Sequence, residues 1–470
     1  MYERMAVVYR SQKMRTKLGN PEFYLGVLAV AVPMMLQQLI ASSVNLVDNL
    51  MVGALGDAAI GSVAAVNRYY MIANFAAMGL SNAGAVFIAQ YHGAKEPEPM
   101  KETFRTVLLS AFLIMGLFTL AGLAVPRAIL GFFTKDEKII MDGMIYLSIA
   151  AWSFLPNAIM ISVYSSMRAV GETRAPLYCS IISIFSNAFL NYCLIFGTFG
   201  FPRLELRGAA IATLCARLIE LALSLFFLKK GNYAFATKIR DLTKVPAELA
   251  QRVLSKAAPL VLNETLWSAG MATLFKLYST RGSNVMSGYS IAGTIGDLFF
   301  TLFSGMACAA TVFISTPLGA GNKEEAKENA YRLLGFSMCL AVVFGGFIWL
   351  SRSLVPLLYG GVSEGARKVA ADVLAIQACL FWIYMGSAQC YFTLRAGGDM
   401  RHTLIMDSGF MWCINIPIVA AVALLTNLPY LSPYIAGQVT DIIKLAFAFR
   451  LVRREKWLVN LTENCGSQQG

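Results

Sequence analysis

The chain alternates long apolar runs with short polar breaks. Charge-free stretches extend from Tyr24 to Val47, Tyr69 to Tyr91, Met144 to Met167, Ala175 to Pro202 and Leu298 to Asn322. Each exceeds the ~20 residues an α-helix needs to cross a ~30 Å hydrocarbon core. With the weaker runs included, the pattern predicts spans at 22–52, 58–91, 103–131, 140–166, 174–197 and 207–229. Six more follow at 253–280, 284–318, 327–358, 366–395, 402–426 and 431–453. The expected fold is an all-α membrane protein of twelve transmembrane helices.

Composition agrees, because 57% of the 470 residues are apolar and only 14% are charged, against about a quarter charged in soluble domains. Basic residues gather before the first span (Arg4, Arg10, Lys13, Arg15, Lys17), near residues 229–256 and after the last span (Arg453, Arg454, Lys456). Positive loops stay on the cytoplasmic side, so both termini are expected to be cytoplasmic and the protein to be multi-pass in the cell inner (plasma) membrane. The net charge of +12 then reflects topology and calls for no nucleic acid partner. The basic start leads into a span too long for a signal peptide, so the first helix is expected to be retained. Eight of the nine cysteines sit in apolar runs without C-x-x-C spacing and read as small core residues. No catalytic set, metal cluster or nucleotide loop appears, so an enzyme is not expected.

The sequence repeats itself. Ser165–Arg174 returns 227 positions later as Phe392–Arg401, each preceded by a Tyr (Tyr164, Tyr391). Upstream the offset is 226: Pro33 recurs as Pro259, Gly56 as Gly282, Gly79 as Gly305 and Gly93 as Gly319. Six spans return the chain to its starting face, so the two halves enter the membrane in the same direction. The expectation is two six-helix bundles related by a pseudo-twofold axis along the membrane normal. The N-terminal lobe would be 1–230, a cytoplasmic linker 231–250, and the C-terminal lobe 251–470. In the two R-A-x-G-[ED]-x-R turns, Arg and acid are expected to hold neighbouring helix ends at headgroup level, or to bind anionic lipid.

Several polar groups fall at membrane depth. Asp48 lies ~12 Å below the outer surface by helical rise. Asn187 and Asn191, at i and i+4 of the fifth span, come to a similar depth, and Asn45 is nearly one turn before Asp48. One carboxylate among amide oxygens can seat a proton or a sodium ion, or the amides can simply tie helices together. Glu264 follows Pro259 where the first half has Gln38, and Asp297 has no acidic counterpart. Asp407 reads as an interfacial residue near a helix end. Aligning the sixth and twelfth spans sets Arg217 against Asp441 and Glu220 against Lys444, so each helix is expected to carry an i, i+3 charge pair, structural or gating.

The segments "LVDNLMVGALG" (Leu46–Gly56), "MRAVGETR", "NAFLNYCLIFG" (Asn187–Gly197) and "LGAGNKEEAKE" resemble the multidrug and toxic compound extrusion (MATE) family, over roughly residues 20–458. The resemblance implies a V-shaped exporter that exchanges organic cations or other drugs for protons or sodium, with functional roles for Asp48, Asn187 and Asn191. Two departures stand out: Asn191 replaces an Asp of some prokaryotic branches, and the acid of the tenth helix in the sodium-linked branch falls at Tyr384. The family's glutamate on the seventh helix aligns nearer Trp267 than Glu264. The implied partners are a cationic, amphipathic small molecule and the lipid bilayer, with the protein a monomer. No cofactor is expected beyond the coupling proton or sodium, the latter held at Asp48, Asn187 and Asn191. The alternative is a lipid-linked saccharide flippase of the same superfamily, which calls for a strongly cationic cavity; the intramembrane charges here are near balance.

Overall fold

The computed structural model describes residues 21–359 and 362–463. Among them are twelve long helices: α1 (Pro21–Gly53), α2 (Asp57–Ala94), α3 (Pro97–Ala124), α4 (Glu137–Ala169), α5 (Arg174–Phe196), α6 (Glu205–Gly231), α7 (Ala247–Tyr278), α8 (Asn284–Gly319), α9 (Lys323–Ser351), α10 (Glu364–Ala396), α11 (Met400–Leu425) and α12 (Ser432–Arg453). Ten are long and apolar enough to span a membrane. The other two, α7 and α12, are diluted by charged residues that include Glu264, Lys276, Asp441 and Lys444. Odd helices start, and even helices end, on the face that carries the linker.

One predicted span ends early. The third was expected to reach 131, but α3 stops at Ala124 and a short helix, Pro126–Phe133, begins afresh. Pro126 lacks an N–H and disfavours helical backbone at Val125, which sits at φ −132°. By contrast, the helical course of α9 continues beyond Ser351 through a tighter turn, Arg352–Leu354, into Val355–Leu358, so the span expected to end at 358 does so.

Within each half the helices pack as a bundle, with α2, α3, α4 and α6 around one core and α8, α9, α10 and α12 around another. The linker-face ends of α1 and α7 cross over. Phe23, Val27 and Ala31 of α1 join the second core, and Leu249, Val253, Ala257 and Leu260 of α7 join the first. Both helices carry an internal proline, Pro33 and Pro259, near the crossing.

The repeated glycines mark where backbones touch. A Cβ on Gly79 would come 2.9 Å from Cα of Val261 on α7, and one on Gly305 would come 2.5 Å from the Ala31 carbonyl oxygen on α1. Nearer the linker face, a Cβ on Gly93 would strike the Thr316 carbonyl, and one on Gly319 the carbonyl of Gln90. Thr316 is the repeat counterpart of Gln90, so the contact is reciprocal in the manner of a twofold interface. Because α2 and α8 meet there by like ends, the axis runs along the helices. At this face the bundles are shut.

The two R-A-x-G-[ED]-x-R turns differ from the expectation. Their acids cap helices: Glu172 accepts from the N–H groups of Arg174 and Ala175, and Asp399 from that of His402. Their first arginines turn inward, where Arg168 lies against Met34 and Arg395 over the rings of Tyr391 and Phe392.

Candidate functional site

A cavity of about 650 Å³ lies inside the first bundle, lined by α1, α2, α4, α5 and α6. Asp48, Asn187 and Asn191 all open onto it. Asn191 donates to Asp48 Oδ1 at 2.9 Å. With the Asn187 amide turned to satisfy the carboxylate, its NH2 donates to both oxygens, at 2.8 and 3.2 Å. The i, i+4 spacing on α5 thus delivers two amides to one carboxylate. Asn191 is 2% exposed and its Oδ1 has no partner among the described residues, leaving an orphan oxygen beside an anion. The side chain of Asn45 lies outside the described residues.

The same cavity holds the charge pair of α6. Arg217 Nη1 donates to Glu220 Oε2 at 2.9 Å, as its spacing predicts. Glu220, 4% exposed, also accepts from Tyr164 (3.2 Å), Ser180 (3.1 Å) and Ser183 (3.1 Å). Four donors on one buried carboxylate fix its place. Gln37 of α1 in turn donates to Ser180 at 2.6 Å.

In the second bundle the expected pairing is corrected. Lys444 bridges to Asp407 of α11 at 2.8 Å, and Asp441, one turn away, has no ion pair among the described residues. The interfacial reading of Asp407 is corrected too, since its side chain is only 14% exposed. It sits in a π-helical turn, Ile405–Gly409, which widens α11 and frees backbone groups. Asn263 fills the gap: its Oδ1 accepts from Ser408 N and Oγ, and its Nδ2 donates to Asp407 at 3.1 Å. Repeat offsets of 226 and 227 make Asn263–Asp407 the counterpart of Gln37–Ser180. The sequence reading missed this because it aligned only the charges of α6 and α12; carrying the offsets through polar positions finds it.

A second cavity, about 340 Å³, lies between the bundles. Repeat-related pairs line it, among them Gln38 with Glu264 and Arg168 with Arg395, so it sits on the pseudo-twofold axis. Glu264 has no hydrogen bond or ion pair among the described residues. Asp297 is exposed on α8, with no ion pair among those residues, and lines neither cavity.

The MatE family profile matches this chain twice, over residues 33–193 and 259–420. The chain belongs to the MATE family. The two matches start 226 and end 227 residues apart, the offsets of the internal repeat. Similar proteins include the probable multidrug resistance protein YoeA of Bacillus subtilis, 22% identical, covering 95% of this chain and 98% of that one. Another is the probable multidrug resistance protein NorM of Bradyrhizobium diazoefficiens, 27% identical over 91% and 93%. Among solved structures, an outward-facing multidrug resistance MATE family transporter of the MOP superfamily superposes with a TM-score of 0.83 at 18% identity, over 92% of this chain and 96% of that one. The protein is therefore an all-helical, multi-pass MATE transporter and not an enzyme.

Proposed function

We propose that this MATE protein is a secondary antiporter that exports organic cations or similar drug-like molecules from the cell in exchange for a proton or sodium ion. The observation that carries the reading is Asp48, held by two amide donors at the wall of a cavity of about 650 Å³, with the orphan Asn191 oxygen beside it. An anion at membrane depth is costly unless a small cation or a proton shares the site. Arriving cargo of like charge competes for that carboxylate, and antiport follows from the competition.

The bundles 1–230 and 251–470 rock about the crossings of α1 and α7, with 231–250 as the connector and the linker face cytoplasmic. In the state described here that face is closed, which suits a chamber facing outward. The protein works as a monomer. Support for a lipid-linked saccharide flippase would come from Arg168, Arg395 and Lys444 in the axial cavity; Asp407, paired with Lys444, and Glu264 line the same space and leave an excess of one positive charge, short of a strongly cationic chamber.

Proteoliposomes with proton and sodium gradients imposed separately test the proposal. Efflux of a fluorescent organic cation is expected with one gradient and absent with neither. Equal efflux with and without any gradient would end the antiport reading.

A further inference from the structure

We infer that residues Glu455–Glu463, which follow α12, form a strap that locks the two bundles together at the linker face and has to let go before the chamber can open there. The inference rests on the rocking motion proposed above. The strap has two ends in two different cores.

Its near end belongs to the second bundle. Trp457 is fully buried in that core, donates its indole N–H to the Val452 carbonyl at 2.8 Å and packs on Gly397 of the repeated turn. The Val459 N–H donates to the Gly397 carbonyl at 3.1 Å, and Glu455 pairs with Lys327 of α9 at 2.6 Å. These contacts make the strap ride with α9–α12.

Its far end grips the first bundle. Leu461, 6% exposed, is part of the first core. Gln90 of α2, with no exposed surface, reads the strap through both ends of its amide: Nε2 donates to the Val459 carbonyl at 3.1 Å, and Oε1 accepts from the Leu461 N–H at 2.6 Å. Arg252, on the stretch of α7 that crosses into the first core, donates to the Leu461 carbonyl at 2.7 Å. Gln90 also supplies the carbonyl against which Gly319 is pressed, so the strap is fastened at the point where α2 and α8 meet. Separation of the bundles there breaks both amide bonds and exposes Leu461.

Among the described residues the first half has no such crossing. Its corresponding segment after α6 stays at home: Phe235 is fully buried in the first core, and Arg105 of α3 holds Thr237 Oγ1 and the Lys244 carbonyl at 2.9 and 3.1 Å. The duplicated scaffold therefore carries one strap, worked from one side.

Cys308 provides the reporter, because it is 8% exposed and lines the axial cavity. In a variant retaining only that cysteine, a membrane-impermeant maleimide confined to the linker side of oriented vesicles reads how often that face opens. Gln90→Ala and Leu461→Ser, which leave the Trp457 seat intact, are expected to raise the labelling rate about tenfold, as loss of a few contacts shifts a two-state equilibrium. Gln90→Glu, which keeps the acceptor for Leu461 and loses the donor to Val459, should fall between. Labelling that proceeds at the parental rate in all three variants overturns the strap and spares the rocking motion. A parental protein never labelled from this side under either gradient overturns both.

Discussion

The two bundles share a backbone plan and keep their charges in different places. In the first, Asn187 and Asn191 gather on the carboxylate of Asp48; the repeat counterparts are Leu274, Ile414 and Ile418. Beside that site, Gln37–Ser180 steadies the carboxylate Glu220, whereas Asn263–Asp407 steadies the ammonium Lys444. A duplicated scaffold thus preserves which positions face inward and leaves the sign of the charge free. What remains uncommitted differs as well: Asp48 among donors in the first bundle, and, among the described residues, Glu264 and Asp441 without a hydrogen-bond or ion-pair partner in the second. On the function proposed above, this asymmetry assigns ion coupling to the first bundle alone.

Asp48→Asn tests that asymmetry most severely. It keeps shape and hydrogen bonding and removes the charge, so gradient-driven export is expected to fall on the order of 100-fold, the upper range of ordinary site-to-site coupling. Leu274→Asn, at the counterpart position, should leave the gradient dependence of export unchanged in the same vesicles. Parental export by Asp48→Asn would remove the ion site from the first bundle.

The inverted pair gives the next effect. Asp407→Asn strands Lys444, whose side chain is 10% exposed, and breaking a buried pair from one side costs about 3–5 kcal/mol. Thermal unfolding in detergent should show the loss. Installing the constellation of the first bundle in the second, with Asp407→Ser, Asp441→Arg and Lys444→Glu together, should recover most of it, because Tyr391 already stands where Tyr164 does. A triple variant less stable than Asp407→Asn would mean that the two constellations are not interchangeable.

Much of this plan was legible in the sequence. The twelve helices follow from run length, and the repeat follows from residues such as Gly79/Gly305, whose spacing is held because a side chain there meets another helix's backbone. The Asp48 site was legible because i, i+4 amides on one helix and a lone acid on another fall at one depth. The Lys444–Asp407 pair was not. Neighbour spacing along α12 offered Asp441, and nothing in local sequence announces a π-helical turn that swings Asp407 inward. The inward course of Arg168 and Arg395 was hidden likewise, since a turn between helices reads as surface until the bundles close over it.

The glycine crossings should behave alike in both bundles, in contrast to the charges. Gly79→Ala and Gly305→Ala each press a methyl onto the backbone of a crossing helix, at about 1–3 kcal/mol for overpacking. Equal losses in thermal stability are expected, with the linker face loosened in both. A loss confined to one would show that the twofold plan does not extend to the crossings.

Glu264→Gln is the smallest and the sharpest of these tests, because it makes the two axial positions chemically alike: the first bundle already has Gln38 there. Glu264 lines the axial cavity with Arg395 and has no donor to lose among the described residues. Neutralising it removes only an attraction for cationic cargo at a partly hydrated site, worth roughly 1 kcal/mol, or a several-fold weaker apparent affinity. Transport titrated over substrate concentration should show that shift with the maximal rate and the gradient dependence intact. If Glu264→Gln instead uncouples export as Asp48→Asn does, the second bundle also carries the ion, and the division of labour between the bundles is lost while their common backbone plan stands.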